Sequence, residues 1–326
     1  MRAPLVRAPP RRYLAWVPPS WIPEEPPVPP GHHTQGRLQL RYEDLAQDGH
    51  LVVEAMSSAL GVLWYGLDAD RRRRLGGGRG ELPILSRLVL EAGEGPIPLG
   101  GPTEAHGQAQ LAHTVGPDGV VNRVVLNMWG RLTSIIGRTV GPRPADAGRA
   151  VVAGRIFAEH VYTRPFGPPA ERRVLALDLG EGPVVPEDRH VYRSAESTLA
   201  LPEGAEPLDA ELERDPSFTV FGIDHTDSNQ HVNSLVYPRL FIEAALRRLD
   251  ARGLARPALR AQSIEMAYRK PSFAGERARV LVRAFQLGDQ LGALAALVAG
   301  EEAEGPLTAA RPRVFARLLF RAAPIT

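Results

Sequence analysis

The sequence predicts an α+β protein made of two copies of one unit, in which an antiparallel β-sheet wraps around a long central helix. The first observation is a repeat, because the order of strand, polar turn, long apolar helix and four strands occurs twice along the 326 residues. The second is a period-two alternation of apolar and polar residues in several strand-like segments, which is typical of a sheet with one buried face. A repeat of this size indicates duplication of one domain.

The composition narrows the possible functions. The 39 basic and 37 acidic residues give a net charge of only +2. The sequence has no run of basic residues interleaved with aromatics, so we do not expect nucleic-acid binding. Cysteine is absent, which excludes disulfides, thiolate metal sites and cysteine nucleophiles. The histidines show no metal-ligand spacing. Without a long apolar run or an apolar signal segment, we expect no membrane span and a cytoplasmic protein.

Proline is dense in residues 1–35, and its ring excludes that segment from helix interiors and central strands. We predict an extended arm that Trp16, Trp21 and Ile22 attach to the body of the protein, with a disordered tail as the alternative. The body then divides into a first domain, residues 36–185, and a second domain, residues 186–326.

The first unit begins with a predicted strand and a polar turn. A helix follows, because apolar residues recur there at steps of three and four. Four strands come next, separated by clusters of glycine or proline. The first strand is 37–43, the helical stripe is Val52, Met56, Leu60, Leu63 and Leu67, and the later strands are 82–92, 105–115, 120–129 and 150–162.

The second unit repeats this order. A strand is predicted within 215–224, followed by a broadly apolar and largely buried helix. Arg239, Glu243 and Arg247 are spaced four apart on its wet face, and Pro238 should either delay the helix start or kink its first turns. The later strands are predicted over 259–270, 275–287, 290–299 and 309–321.

Three polar residues stand close together at the mouth of the second helix. Asp227, Asn229 and His231 fall within five positions, and His50 occupies the place of His231 in the first unit. Asp and Asn before a helix are usually caps or turn residues. The alternative is a catalytic cluster, since the free amides and positive dipole end of a helix N-terminus can stabilise negative charge.

The stretch DSNQHVNSLVY, residues 227–237, resembles the signature of the hot-dog-fold acyl thioesterases, which include the acyl-ACP and 4-hydroxybenzoyl-CoA thioesterases. It is most similar to the acyl-ACP pattern D-x-N-x-H-V-N-N-x-x-Y, with Ser234 in place of the second Asn. AYRKPSFAGE, residues 267–276, resembles the strand after the helix. The matching motif residues are Asp227, Asn229, His231, Val232, Asn233 and Tyr237.

The resemblance implies tandem hot-dog domains over residues 37–326 that form a pseudo-dimer, with a further homodimer compatible. It implies hydrolysis of an acyl carrier protein or coenzyme A thioester, without a cofactor, beside a tunnel for the acyl chain. Asp227 would deprotonate water or attack the carbonyl, and His231 would act as a second base or orient the water. Asn229 would hold the carbonyl or the imidazole.

Other residues receive less specific roles from the same resemblance. Asn233 and Tyr237 would position the loop or simply pack. Arg269 and Lys270 would contact phosphate or pantetheine groups, or form a solvated strand end. The first unit would form the other wall of the site, and its loop would be a degenerate second site or supply the missing acid, although a plain turn is the alternative there. Its candidate residues are Glu43, Asp44, Asp48 and His50.

One departure from the pattern leaves two rival functions open. Pro271 and Ser272 stand where plant-type members carry Glu and Cys, so the acid of that strand is missing. A non-catalytic acyl-binding or scaffold protein is therefore one rival. The other is a hot-dog enoyl-thioester hydratase or dehydratase, whose D-x-N-P-x-H pattern puts His five residues after Asp. His231 lies four after Asp227, which favours the thioesterase.

Overall fold

The structure is a computed structural model that describes residues 20–29, 32–77, 80–179, 182–254, 259–304 and 310–322. In chain order its first half contains β1 (His33–Arg37), α1 (Ser58–Gly66), α2 (Ala69–Leu75), β2 (Leu82–Ala92), β3 (Glu104–Val115), β4 (Val121–Ile135) and β5 (Ala150–Thr163). A connecting segment then carries short strands, β6 (Leu177–Asp178), β7 (Pro183–Val184), β8 (Glu206–Pro207) and β9 (Glu213–Arg214). The second half contains β10 (Thr219–Val220), α3 (Val236–Ala251), β11 (Leu259–Tyr268), β12 (Arg277–Leu287), β13 (Gln290–Ala299) and β14 (Val314–Ala322).

One antiparallel sheet joins the two halves. Its main path runs β1-β3-β4-β5-β2-β11-β14-β13-β12-β10, and β8 and β9 also pair with β12. At the centre, β2 pairs with β11 in a register from Ser263 opposite Glu91 to Ala267 opposite Arg87. We call this pairing the seam. Moving outward from the seam, each half presents its strands in the same order, so the repeat seen in the sequence is also a repeat of the topology.

The two faces of the sheet are covered differently. On one face, the helical segments bury Met56 and Leu63 in the first half and Phe241 and Ala245 in the second. On the other face, Trp21 lies in a cluster with large side chains of both halves, and the connecting segment adds to it. The Trp129 indole also donates a 3.0 Å hydrogen bond to the Pro23 carbonyl of the arm. Trp16 lies outside the described residues.

The helix of the first half differs from the prediction. The sequence predicted one long helix over the stripe from Val52 to Leu67, but Val53–Ser57 is a 3₁₀ segment and α1 has only nine residues. The Ser57 hydroxyl donates a 2.5 Å hydrogen bond to the Glu54 carbonyl. Such a local side-chain bond competes with the α-helical pattern, which accounts for the tighter turn.

The predicted strand over 37–43 is wrong, because β1 ends at Arg37 and Tyr42–Asp44 forms a 3₁₀ turn. The Asp44 carboxylate accepts a 2.7 Å bond from the Arg41 amide and closes this turn. In the second half, the strand predicted within 215–224 is reduced to the two residues of β10. Pro238 is the third residue of α3, where its missing amide removes no intrahelical bond, so the helix starts late and continues.

The other strands lie close to their predicted positions. Those over 82–92 and 290–299 match β2 and β13, whereas β4 extends six residues beyond its predicted end at 129. The start of the strand predicted at 309 falls outside the described residues. None of the helices in the described ranges is both long and apolar enough to cross a membrane.

Candidate active site

The second-half motif forms a closed loop between a 3₁₀ turn, Ile223–His225, and α3. The Asp227 amide donates a 3.0 Å bond to the His231 carbonyl, and the Gln230 amide donates a 2.9 Å bond to the Asp227 carbonyl. Gln230 has a φ of 64°, the left-handed conformation that non-glycine residues seldom adopt. The loop therefore holds the motif residues in a tight and locally strained turn.

Within this loop the three motif side chains have different surroundings. Asp227 is half-buried, and its carboxylate accepts a 2.8 Å hydrogen bond from the backbone amide of Asn229. Asn229 and His231 are exposed. The His231 imidazole meets the Phe273 ring edge-on, with the ring centroids 5.3 Å apart. Asp227 thus fulfils the turn-forming role expected of such a residue, while the amide and imidazole side chains remain accessible to a ligand.

Asn233 and Tyr237 shape the entrance of α3. The Asn233 side-chain oxygen accepts a 2.9 Å hydrogen bond from the backbone amide of Leu235. The backbone amide of Asn233 donates a 2.8 Å hydrogen bond to the His225 carbonyl. Tyr237 is buried and packs edge-on against Phe221, with the ring centroids 6.3 Å apart. Burial raises the pKa of Tyr237 above its ordinary value. Both residues therefore have positions suited to ordering the loop.

The strand end beyond β11 touches the motif loop but brings no acid to it. The Val232 amide donates a 2.8 Å bond to the carbonyl of Ser272, which is buried. Arg269 lies 3.5 Å from Glu196 of the connecting segment, and Lys270 is exposed. The next carboxylate along the chain, Glu276, forms an ion pair with Arg313 and has its negative charge compensated there.

The loop of the first half repeats the backbone bonds of the motif loop. The Ala46 amide donates a 2.8 Å bond to the His50 carbonyl, and the Gly49 amide donates a 2.8 Å bond to the Ala46 carbonyl. Gly49 has a φ of 81° and occupies the place of Gln230. At the same offset, Asp48 takes the place of Asn229.

In the first half, the polar side chains of this loop come together at the seam. Asp48 Oδ2 lies 3.1 Å from His50 Nδ1 and 3.1 Å from Nε of Arg260, which belongs to β11. The side chains of Asp48 and Arg260 are only 8% and 10% exposed. Burial alone would raise the pKa of Asp48, but hydrogen bonds from His50 and the charge of Arg260 outweigh it and hold that pKa well below its usual range.

The remaining acids of this region have separate roles. Glu43 is exposed and lies 3.2 Å from Arg41, and its place in a wall of the site stays a prediction. Asp44 is buried by the 3₁₀ turn that it closes. Glu54, which no sequence motif includes, is half-buried, and burial raises the pKa of its carboxyl despite the charge of Arg239 on α3. Glu54 lies between the apolar residues Val52 and Met56, where a single charged residue is typical of the solvent-facing side of a helix. Its burial therefore has no signal in the sequence.

Surface cavities lie at several places in the described part of the chain. One of about 770 Å³ lies between the arm and β1 and β3, and another of about 440 Å³ lies between the arm, α2 and the connecting segment. A third, of about 240 Å³, lies beside α3 near Asp215 and Leu240. Neither polar loop lines any of these three cavities. Among the described residues, no cluster of three or more potential metal ligands occurs.

No protein-family model matches the sequence, and no curated protein does. Solved structures that share its fold include three thioesterases. An acyl-ACP thioesterase from Bacteroides thetaiotaomicron is 13% identical, covers 89% of this chain and 98% of its own, and has a TM-score of 0.52. A putative oleoyl thioesterase from Lactobacillus plantarum is 11% identical, covers 90% of this chain and 96% of its own, and has a TM-score of 0.54. The 12:0-ACP thioesterase from Umbellularia californica is 14% identical, covers 89% of this chain and 94% of its own, and has a TM-score of 0.53.

At these identities the likeness establishes the fold. It extends over about nine tenths of this chain and nearly the whole of each compared chain, so it includes both halves of the sheet. The chain therefore has the fold of the acyl-ACP thioesterases, as the resemblance of residues 227–237 implied.

Proposed function

We propose that this protein is an acyl thioester hydrolase made of two tandem hot-dog units, acting on acyl carrier protein or coenzyme A thioesters. The strongest support is that a thioesterase-like motif and a thioesterase-like fold occur in the same chain. The D-x-N-x-H-V-N loop stands at the entrance of α3, in a chain whose sheet matches three thioesterase structures along nine tenths of its length. The matching strand orders on the two sides of the seam support the tandem arrangement.

In the proposed mechanism, water is the only co-substrate. Asp227 or His231 takes a proton from water, and the water oxygen attacks the thioester carbonyl carbon. The carbon–sulfur bond then breaks, the thiolate leaves with the electron pair, and the same side chain returns the proton to it, which gives a carboxylic acid and a free thiol. Asn229 and the positive dipole end of α3 stabilise the negative charge that develops on the carbonyl oxygen. Removal of one such donor typically costs about 3 kcal/mol in the barrier. Asn233, through its bond to the Leu235 amide, keeps the loop and the helix entrance in register.

Arg269 and Lys270 are proposed contacts for the phosphate or pantetheine part of the substrate, since both carry a positive charge beside the motif loop. Arg269 has Glu196 as a neighbour at 3.5 Å and would have to exchange that contact for a phosphate. Lys270 is exposed, so a phosphate would not have to displace protein contacts to reach it.

A non-catalytic acyl-binding protein is the second candidate. It is favoured by the missing strand acid, because Pro271 and Ser272 stand where the plant-type pattern has Glu and Cys. A hydratase receives less support, because His231 follows Asp227 by four residues.

Thiol release from a panel of acyl-CoA and acyl-ACP substrates separates these candidates. The thioesterase assignment expects release by the wild type and a loss of at least tenfold for Asp227→Asn and for His231→Ala. Asp224→Asn, an exposed change just before the loop, is the matched control and should keep the wild-type rate. Substrate binding without thiol release by the wild type would favour the acyl-binding protein instead.

A further inference from the structure

We infer that Phe273 is a positioning residue for His231 and holds the imidazole in the orientation in which it acts on the attacking water. This inference rests on the proposed function, because it concerns the proton-transfer step at the motif loop. Phe273 lies outside the motif, in the turn between β11 and β12. Its ring has no group that exchanges a proton, so it works through His231 and not on the reacting atoms.

The two rings are in direct contact. The ring centroids of His231 and Phe273 are 5.3 Å apart and the ring planes are inclined by 78°. This is the edge-to-face arrangement that aromatic pairs favour. His231 is exposed, and within the described part of the chain its imidazole forms no hydrogen bond. Exposed side chains change rotamer readily, so the contact with Phe273 restrains an imidazole that polar contacts leave unfixed.

The turn that carries Phe273 is fastened on both sides of this residue. The Phe273 amide donates a 2.8 Å hydrogen bond to Oε2 of Glu276. The two carboxylate oxygens of Glu276 also accept hydrogen bonds of 2.6 and 2.9 Å from Arg313, a bidentate pair with a defined geometry. Arg313 donates a further 3.0 Å bond to the Pro271 carbonyl. Phe273 therefore projects from a backbone that an ion pair keeps in place.

A backbone hydrogen bond joins this turn to the motif loop beside the two rings. The Val232 amide donates it to the Ser272 carbonyl, over 2.8 Å. Val232 follows His231 and Ser272 precedes Phe273, so the bond sets the distance between the backbones from which the two rings project. Both bonded residues are buried, which keeps water away from the bond. The ring contact thus has a fixed frame on each side.

This frame matters because proton transfer depends on orientation. A general base acts when its nitrogen lies within hydrogen-bond reach of the water that it deprotonates. A displacement of about 1 Å at a reacting group can lower the rate about a hundredfold. Loss of the Phe273 ring should therefore slow the chemical step and lower kcat. Substrate binding does not depend on the orientation of the imidazole, so KM should change little.

The test measures thiol release by the full chain from acetyl-, decanoyl- and palmitoyl-CoA and from the same acyl groups on ACP, with kcat and KM taken on the substrate that the wild type hydrolyses fastest. Phe273→Ala should lower kcat about tenfold and leave KM within about twofold. Phe273→Tyr keeps the edge-to-face contact and should retain about half or more of the wild-type kcat.

Phe218→Ala is the matched control. Phe218 is also an exposed aromatic residue of the second half, 48% exposed against 44% for Phe273, and it packs on Arg277 instead of the imidazole. This variant should keep the wild-type kcat. Thermal melting checks the folding of each variant, and Phe273→Leu, which also removes the aromatic ring, provides a second route to the same loss of kcat if Phe273→Ala does not fold.

A spectroscopic measurement tests the contact without activity. In protein labelled at its histidines, the His231 ring resonance is identified by its loss in His231→Ala. The nearby aromatic ring should displace this resonance in the wild type, so it should move in Phe273→Ala and stay in place in Phe218→Ala. A resonance that does not move would contradict the ring contact.

The kinetic outcomes separate this inference from the proposed function. A Phe273→Ala variant with the wild-type kcat, or with a loss that Phe218→Ala matches, would overturn the positioning role and leave the proposed function intact. A loss confined to KM would also overturn it, because it would indicate a role in substrate binding. A wild type that hydrolyses none of these substrates would overturn both.

Discussion

Asp48 of the first half and Arg260 of the second half form a buried ion pair across the seam, with Oδ2 and Nε 3.1 Å apart. The two residues are separated by 212 positions along the chain, so this contact exists only in the folded sheet. It joins the first polar loop to β11 and gives the seam a specific electrostatic contact in addition to its backbone ladder.

Loss of Arg260 should destabilise the fold. Arg260→Leu leaves the Asp48 carboxylate buried without its cation, and breaking a buried pair in this way costs about 3–5 kcal/mol. The measurement is the free energy of unfolding in urea. Arg149→Leu, which removes an exposed pair with Glu94, is the matched control and should cost less than about 1 kcal/mol. Equal costs for the two variants would contradict a structural role for the ion pair.

The same carboxylate should make stability depend on pH. Because the folded-state pKa of Asp48 lies below its ordinary value of 3.8, its stabilisation is fully present above that pH and is lost as the pH falls below it. We expect the unfolding free energy of the wild type to fall more than that of Asp48→Asn when the pH is lowered from 5 to below 3.8. Parallel curves for the two proteins would show that Asp48 has an ordinary pKa.

Glu54 should act in the opposite direction. Burial raises the pKa of its carboxyl above 4.5 in the folded state, so the protein loses stability as the pH rises through that raised value. Glu54→Gln should therefore stabilise the protein at neutral pH, by about 0.5–2 kcal/mol, the usual range for a stabilising substitution. It should give little benefit at pH 4. Thermal melting at both pH values measures this, with Glu43→Gln as an exposed control from the same half, and a loss of stability at neutral pH would refute it.

The first-half helical segment should depend on a glycine beneath it. A Cβ atom on Gly154 of β5 would lie 2.0 Å from the Met56 sulfur, so Gly154→Ala should cost about 1–3 kcal/mol by overpacking. Combining it with Met56→Ala should recover part of that cost in a double-mutant cycle. Gly61→Ala, within α1 and with nothing within 4 Å, should instead stabilise the helix slightly. Additive effects of Gly154→Ala and Met56→Ala would mean that the contact is relaxed in solution.

The strands could be predicted where the local pattern is unambiguous. Segments such as 82–92 and 290–299 have turn residues at both ends, and the structure places strands there. The prediction failed where one side chain decided the local backbone. The Asp44 carboxylate closes one turn by accepting a hydrogen bond from the Arg41 amide. The Ser57 hydroxyl closes another by donating a hydrogen bond to the Glu54 carbonyl. Hydrophobic periodicity carries no signal of such bonds.

For the site, the sequence could locate the polar loops but not their surroundings. The motif spacing identified Asp227, Asn229 and His231, and the repeat identified His50 as their counterpart. The approach of Arg260 to Asp48 could not be predicted, because it depends on which strands of the two halves meet at the seam. Nor could the burial of Glu54, which follows from the packing of a 3₁₀ turn.

The most direct test of the central claim is thiol release by the purified wild type from acyl-ACP and acyl-CoA substrates, measured beside the Asp227→Asn, His231→Ala double variant. The proposed function predicts that the wild type releases thiol from at least one acyl thioester, and that the double variant does so at least tenfold more slowly. A wild type that releases none, or a double variant as fast as the wild type, would contradict the assignment of hydrolysis to this loop.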